Sequence, residues 1–337
     1  MTPTSQTSTP TIDVVALGHP LVDVLTHETD DVVARTGVER GAMTMVDAAR
    51  SDEIYAGLGP AQETSGGSAA NTAVGVAAFG GRSAFVGRIA DDTFGKVFAH
   101  DLRSAGVEFD VSPATDGAPT GRCLVIVGAD AERTMCTYLG AGAEIDPLDV
   151  SGERIAGAAV TYLEGYLWDG AAAKDAIRRA ASLAREAGRR VALTLSDPFC
   201  VDRHRDEFRA LIASDIDVIF ANEEEITMLY EVDSFDEAAR RISDDCEIAA
   251  LTRGAQGSVV VSAGKQHVVP ADPVDHVIDT TGAGDLYAAG VLFGLTHGLD
   301  LATCGRLGSL GAAEVISHLG ARPEVSLAER AAAVLKG

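Results

Sequence analysis

The chain has 337 residues, 46 % hydrophobic and 5 % aromatic, enough for a sizeable core in one large domain or two small ones. Its net charge is −23 and only four of its 27 basic residues are lysine (Lys96, Lys174, Lys265, Lys336), which disfavours nucleic-acid backbone and anionic lipid as partners but not a small anion held by local donors. No apolar run approaches the ~18 residues of a membrane span, and five scattered cysteines without a C-x-x-C pair point to reduced thiols in a cytosol.

Residues 1–11 are rich in Thr, Ser and Pro, and are expected to form a disordered tail. Ile12–Leu17 reads as a strand ending at Gly18. The string Gly18-His-Pro-Leu-Val-Asp23 follows, and a carboxylate there could accept hydrogen bonds from two sugar hydroxyls; a plain surface Asp fits equally well. Next, Ser65-Gly-Gly-Ser-Ala-Ala-Asn71 opens a helix over Ala69–Ala78 that stops at Gly80-Gly81. Backbone donors and the Asn71 amide suit vicinal hydroxyls, although a tight turn explains the glycines too. Ser83–Ile89 is expected as a strand, Thr93–Ala105 as a helix, Ala158–Leu163 as a strand and Ala171–Ala187 as a helix. Arg190–Leu195, Val218–Ala221 and Ile248–Thr252 are further strands of buried type.

Strand–helix alternation of this kind predicts an α/β fold, a mostly parallel sheet with helices on both faces, with ligands at the carboxyl ends of the strands. Two segments break the pattern, roughly 24–46 and 120–138. They are expected to leave the main sheet and form a small β lid on a single domain spanning 12–337.

Three more strings carry chemistry. Asn222-Glu-Glu-Glu225 follows an apolar strand and could hold Mg²⁺ through its waters, or simply start a helix with favourable acidic residues. Thr252-Arg-Gly-Ala-Gln-Gly257 reads as a nucleotide-contacting loop or a hairpin. The third, Asp279-Thr-Thr-Gly-Ala-Gly-Asp285, precedes an apolar helix. Its small residues can present several N–H groups to one anion at a helix N-terminus, and Asp285 then stands where it could take a proton beside a phosphate. A capped helix after a glycine turn is the plain alternative. The chain has no G-x-x-x-x-G-K-[ST], no H-E-x-x-H, no Cys/His cluster and no G-x-S-x-G.

Gly66-Gly67-Ser68-x-x-Asn71 and Asp279–Asp285 together resemble the two signature regions of the ribokinase-like carbohydrate and nucleoside kinases, the PfkB family, and the resemblance runs from Ile12 through nearly the whole chain. Within that family Gly18–Asp23, Pro119-Thr-Gly-Arg122, Leu195-Ser-Asp-Pro-Phe199 and Asp217–Glu223 are most similar to adenosine kinases.

The resemblance implies a ribokinase-like fold and transfer of the ATP γ-phosphoryl to a ribose 5′-hydroxyl, adenosine to AMP, with Mg²⁺ and, in some relatives, K⁺. It makes Asp285 the base and Gly282, Ala283 and Gly284 the anion hole. Asp23, Gly67 and Asn71 would bind the acceptor. Asn222 and Glu225 would organise Mg²⁺–ATP, with Thr252, Gly254 and Gly257 along the nucleotide. Arg133, in Asp130-Ala-Glu-Arg-Thr134, would close over the phosphates. Asp279 and Thr281 would hold a monovalent cation. It implies a cytoplasmic enzyme, monomer or homodimer, whose partner is a small nucleoside or sugar. Another nucleoside, ribose, fructose or a sugar acid are alternative acceptors, and a nucleotide sensor without turnover is a further one. The chain departs from the family at His19, where Asn is frequent, and at Asp197, where adenosine kinases often have a smaller residue. Met43, Met45 and Tyr138 are candidates to contact a purine.

Overall fold

Strands buried on both faces need apolar side chains at every position, which produces continuous runs instead of alternation. The structure, a computed structural model, describes residues 9–128 and 132–336. Its strands are β1 (Ile12–Leu17), β2 (Leu21–His27), β3 (Met43–Met45), β4 (Gln62–Gly66), β5 (Ser83–Val86), β6 (Thr120–Val127) and β7 (Arg133–Gly140), then β8 (Ala158–Glu164), β9 (Arg190–Thr194), β10 (Val218–Asn222), β11 (Ile248–Thr252), β12 (Ser258–Ser262) and β13 (Lys265–Val269).

Eight of them form the main sheet in the order β13-β12-β11-β10-β9-β8-β1-β5. It is parallel from β5 to β11 and antiparallel at β12 and β13. Alternate residues feed two separate cores. Val14, Ala16, Val218 and Phe220 pack with the helices Ser68–Ala78, Ala283–Thr296 and Leu301–Val315. Val15, Leu17, Ile219 and Ala221 pack with the helices Ala171–Glu186, Pro198–Asp215 and Phe235–Asp245 on the other side.

The helix Ala283–Thr296 has no polar face: every residue from Leu286 to Gly294 is buried. It lies against its neighbours almost backbone to backbone. A Cβ on Gly290 would collide with the Leu307 carbonyl, one on Gly308 would meet the Tyr287 ring at 2.8 Å, and one on Gly75 would meet the Ala289 methyl at 2.5 Å. Small residues let these helix axes approach, and the dense contact holds the first turn in place.

Five strands form the second sheet, in the order β3-β7-β6-β2-β4. It draws on both segments expected to leave the main sheet, but its limits are wider than 24–46 and 120–138: β2 begins at Leu21, β7 runs to Gly140, and β4 comes from outside both. The segment 24–46 also contains a short helix, Asp30–Arg35. Gln62-Glu-Thr-Ser carries no apolar alternation, so nothing local marks β4; it is a strand because β2 offers it an edge, pairing Asp23 with Thr64.

Other boundaries shift by a few residues, as at Ser83, where the strand ends at Val86 and not Ile89. The expected tail is shorter than 1–11: the Thr11 N–H already donates to Gly157 O at 2.9 Å, while residues 1–8 lie outside the described residues. All five cysteines are buried and unpaired. No helix among the described residues is long and apolar enough to cross a membrane.

Candidate active site

Five neighbouring strands deliver polar residues to one edge of the main sheet. β1 ends before Gly18 and His19, β8 ends at Glu164, β9 leads to Ser196 and Asp197, β10 ends at Asn222 and β11 at Thr252. Register keeps them level: Glu164 pairs with Thr194, and Asn222 with Thr252. Carboxyl ends of parallel strands are where such folds bind ligands.

Asp285 faces this edge from the first turn of its helix. Its Oδ1 accepts from Ser68 Oγ at 2.6 Å and its Oδ2 from Asn71 Nδ2 at 2.9 Å. Burial pushes the carboxyl up to about 6, with the two hydrogen bonds opposing that rise and nearby Glu164 adding to it. Ala283 N–H donates to Thr280 O at 3.2 Å and Leu286 N–H to Gly282 O at 2.9 Å. The intervening N–H groups of Gly284 and Asp285 meet no acceptor among the described residues, as the start of a helix leaves them. No side chain or backbone lies within 4 Å of a Cβ built on Gly284, so the turn is open there.

Asn71 is 5 % exposed, and its Oδ1 is a buried acceptor without a partner. Such an atom costs free energy unless a donor arrives. Asp23 stands nearby across the Gly66-Gly67 turn. Its carboxylate lies where a Cβ on Gly66 would be, and burial pushes it up to about 6, against the opposing charges of Arg322 and Arg133. Gly67 has φ of +96°, and a Cβ there would collide with the His19 carbonyl, so no other residue fits the turn comfortably. His19 is buried, its Nδ1 3.1 Å from Glu164 Oε1, while Glu164 Oε2 accepts the Ala69 N–H at 2.9 Å.

On the other side, Asn222 caps the helix Glu223–Tyr230. Its Oδ1 accepts from Glu225 N at 2.8 Å, while Glu225 accepts from Asn222 N at 3.0 Å and from Asn222 Nδ2 at 2.6 Å. Burial, with Asp197 and Glu224 nearby, pushes the Glu225 carboxyl to about 7. A cavity of about 260 Å³ joins this pair to Thr252, Ser68, the turn Gly282–Gly284 and Asp285. Thr252 therefore shares the cavity with Asp285. Gly254 sits exposed at the tip of the β11–β12 hairpin, and Gly257 is buried at φ +86°, where a Cβ would collide with the Val269 carbonyl. Neither glycine lines the cavity, and the hairpin alone accounts for Gly257.

The Asp279 carboxylate accepts from Thr281 N (3.0 Å), Thr281 Oγ1 (2.8 Å) and Gly320 N (2.8 Å), and Arg133 Nη2 lies 2.7 Å from it. Arg133 Nη1 also donates to Thr281 Oγ1 at 2.9 Å. The positive group on Asp279 is thus a guanidinium from the second sheet, and a monovalent cation would compete with it. Asp130 of the Arg133 string lies outside the described residues. Asp197 accepts the Cys200 N–H at 2.6 Å, a helix cap. Met43 and Met45 are about half exposed on β3, the edge strand, and Tyr138 is half-buried on β7.

For Mg²⁺, no group of three or more His, Cys, Asp or Glu among the described residues could form a cage. The donors present, one carboxylate and one amide at a strand end, fit an ion that keeps its waters and arrives with phosphates. A larger surface groove of about 530 Å³ runs between Lys96, His100, Arg103 and Pro113, and contains none of the residues above.

Sequence reasoning overlooked three participants. Ser68 stood inside the Gly-Gly-Ser string, and its place beside two glycines was signal enough. Glu164 ends a strand at the ligand edge, a weaker sign. Arg322, which donates to the turn before Gly66, lies in an irregular segment with no local pattern.

The profile of the pfkB family carbohydrate kinases matches residues 45–327. The chain is 30 % identical over 332 residues to an adenosine kinase of Saccharomyces cerevisiae, covering 92 % of this chain and 96 % of that protein. The crystal structure of adenosine kinase from Sinorhizobium meliloti superimposes with a TM-score of 0.89 at 48 % identity, covering 96 % of this chain and 99 % of that one. A probable sugar kinase protein from Rhizobium etli superimposes with a TM-score of 0.90 at 44 % identity and the same coverage.

Proposed function

The chain belongs to the PfkB family of carbohydrate and nucleoside kinases, and from that premise we propose that it transfers the γ-phosphoryl group of ATP to the 5′-hydroxyl of adenosine. The observation that carries the chemistry is Asp285, a carboxylate pushed up to about 6 at the mouth of an open helix N-terminus. A base in that range is ionised at neutral pH yet still takes a proton readily.

In this reading Asn71 Oδ1 and Asp23 accept hydroxyls of the acceptor sugar. Ser68 and Asn71 occupy one lone pair on each Asp285 oxygen, which fixes the carboxylate and leaves lone pairs for the attacking hydroxyl. Asp285 takes the hydroxyl proton as its oxygen attacks the γ-phosphorus in line. The free N–H groups at Gly284 and Asp285, with the helix dipole, meet the charge on the transferring group. Arg133 reaches in from the second sheet and is held by Asp279 of the adjoining turn, from where it would swing onto the phosphates. Mg²⁺, when bound, neutralises phosphate charge, and Asn222 and Glu225 stand where they would hold its waters. The second sheet, carrying Asp23 and Arg133, closes the acceptor off from water, which protects ATP from hydrolysis. Five buried, unpaired cysteines agree with a cytosolic setting.

Adenosine as acceptor is supported by the two adenosine kinases. A free sugar is the second reading, favoured by the resemblance to the Rhizobium etli protein. ADP release measured over adenosine, other nucleosides, ribose and fructose separates them. We expect adenosine to give the highest kcat/KM; a preference for a free sugar overturns the acceptor assignment and leaves the kinase chemistry standing.

A further inference from the structure

The irregular segment after the helix Leu301–Val315 touches both halves of the site. Gly320 N–H donates to Asp279, Ala321 packs where a Cβ on Gly282 would lie, and Arg322 reaches the acceptor turn. The segment is itself pinned by Glu314, 2 % exposed, whose Oε1 accepts from Glu324 N at 2.9 Å and Val325 N at 3.2 Å.

Arg322 makes four hydrogen bonds. Nε and Nη2 donate to Ser65 O at 3.0 and 2.8 Å, Nη2 also to Ser65 Oγ at 3.0 Å, and Nη1 to Ala70 O at 3.0 Å. Ser65 is the last residue before Gly66-Gly67, and Ala70 immediately precedes Asn71. One planar fork therefore grips the chain on both sides of the turn that carries Asp23's seat and Asn71. Ser65 N–H is tied down as well, to Asp101 Oδ2 at 2.8 Å. Lysine, a single point charge, cannot reproduce that fork.

The guanidinium also bears on the reaction through its charge. It faces Asp23, Asp101 and Asp285, so its positive charge bears on both site carboxylates. Glu164 and Asp23 also bear on Asp285, both negative, and Asp285 and Arg133 also bear on Asp23.

We propose that Arg322 is a positioning residue for phosphoryl transfer, clamping the acceptor turn from behind and supplying the positive charge that faces Asp23 and Asp285. Without that charge two carboxylates in one half-buried site repel, and the base takes up a proton at higher pH. The inference rests on Asp285 as the base.

The test compares full-length wild type, Arg322→Met and Arg322→Lys by the pH dependence of kcat/KM for adenosine. In the Met variant the ascending limb moves to higher pH; from a start near 6, a move of one unit lowers kcat/KM at pH 6 by about fivefold. In the Lys variant the limb stays with wild type, while KM for the acceptor rises because the fork is lost. A Met variant with lower activity and an unmoved limb overturns the electrostatic role, since a merely structural residue would behave so. Should the Met variant not fold, a Lys variant with wild-type KM overturns the clamp. Asp285→Asn run alongside keeps the two ideas apart: if it stays active the base assignment has failed, and if it is inactive while Arg322→Met keeps the wild-type limb, only Arg322 has been misread.

Discussion

Asp285→Asn is the sharpest perturbation of this site, because activity and stability should part company. The substitution keeps size and shape and removes the charge. A positioned general base contributes roughly 10²–10⁴-fold, so kcat for adenosine phosphorylation should fall by that range with little change in KM. Stability follows a different account. A carboxyl whose folded pKa is raised from 3.8 to about 6 favours the native state below the lower value, and that contribution is lost as pH rises to the upper one. At pH 7 the ionised carboxylate therefore costs the native state at most about 3 kcal/mol. The amide removes that cost, but with its Oδ1 on Asn71 its Nδ2 must donate to Ser68 Oγ in a reversed hydrogen bond, and the loss of the charge-assisted contacts is worth ~1–3 kcal/mol. The net change at pH 7 lies near zero or slightly stabilising. Coupled ADP-release kinetics, a pH profile of kcat/KM with its rise near 6 and thermal unfolding at pH 7 measure all three quantities. An Asn variant within tenfold of wild-type turnover, with the same pH rise, would refute the assignment. So would a lost activity accompanied by a collapse in stability, which would mean that the fold, not the proton, had been removed.

Two further substitutions bear on either end of the site. Gly67→Ala places a Cβ against the His19 carbonyl at φ +96°, and should destabilise by ~2–4 kcal/mol in urea unfolding; an unchanged midpoint would mean that the turn relaxes at no cost. Glu225→Gln should raise KM for Mg²⁺–ATP and flatten the pH dependence of stability. The Glu225 carboxyl, raised from 4.5 to about 7, gives stability at low pH that is lost as pH climbs through that window, so the Gln variant should exceed wild type by up to about 3 kcal/mol at pH 8 and match it at pH 4. Parallel stability curves for the two proteins would show that Glu225 does not carry the buried charge.

Most of the parallel sheet was legible because strands such as Val218–Asn222 are apolar on both faces and bounded by polar ends. The same logic located the ligand edge, and the glycines of Gly66-Gly67 and Gly282–Gly284 marked the turns. What escaped notice depends on distant partners. β4 is polar and exists only through its pairing with β2. Glu164 is buried and Arg322 half-buried by contacts with chain 95 and 257 residues away, and no local pattern announces contacts of that range. At Gly254 and Gly257 the two expected readings of the loop are compatible: it forms the β11–β12 hairpin, with Gly257 at φ +86° and Gly254 exposed at its tip.

The glycine-mediated contact between the helices Ala283–Thr296 and Leu301–Val315 has a bearing on how such an enzyme can diversify. Positions such as Gly290 and Gly308 admit no side chain, so the scaffold behind Asp285 has almost no mutational freedom. The second sheet is different: Met43 and Met45 are about half exposed on its edge strand, where a side chain has room that Gly290 and Gly308 lack. Sequence change is therefore accommodated more readily on that edge than behind Asp285.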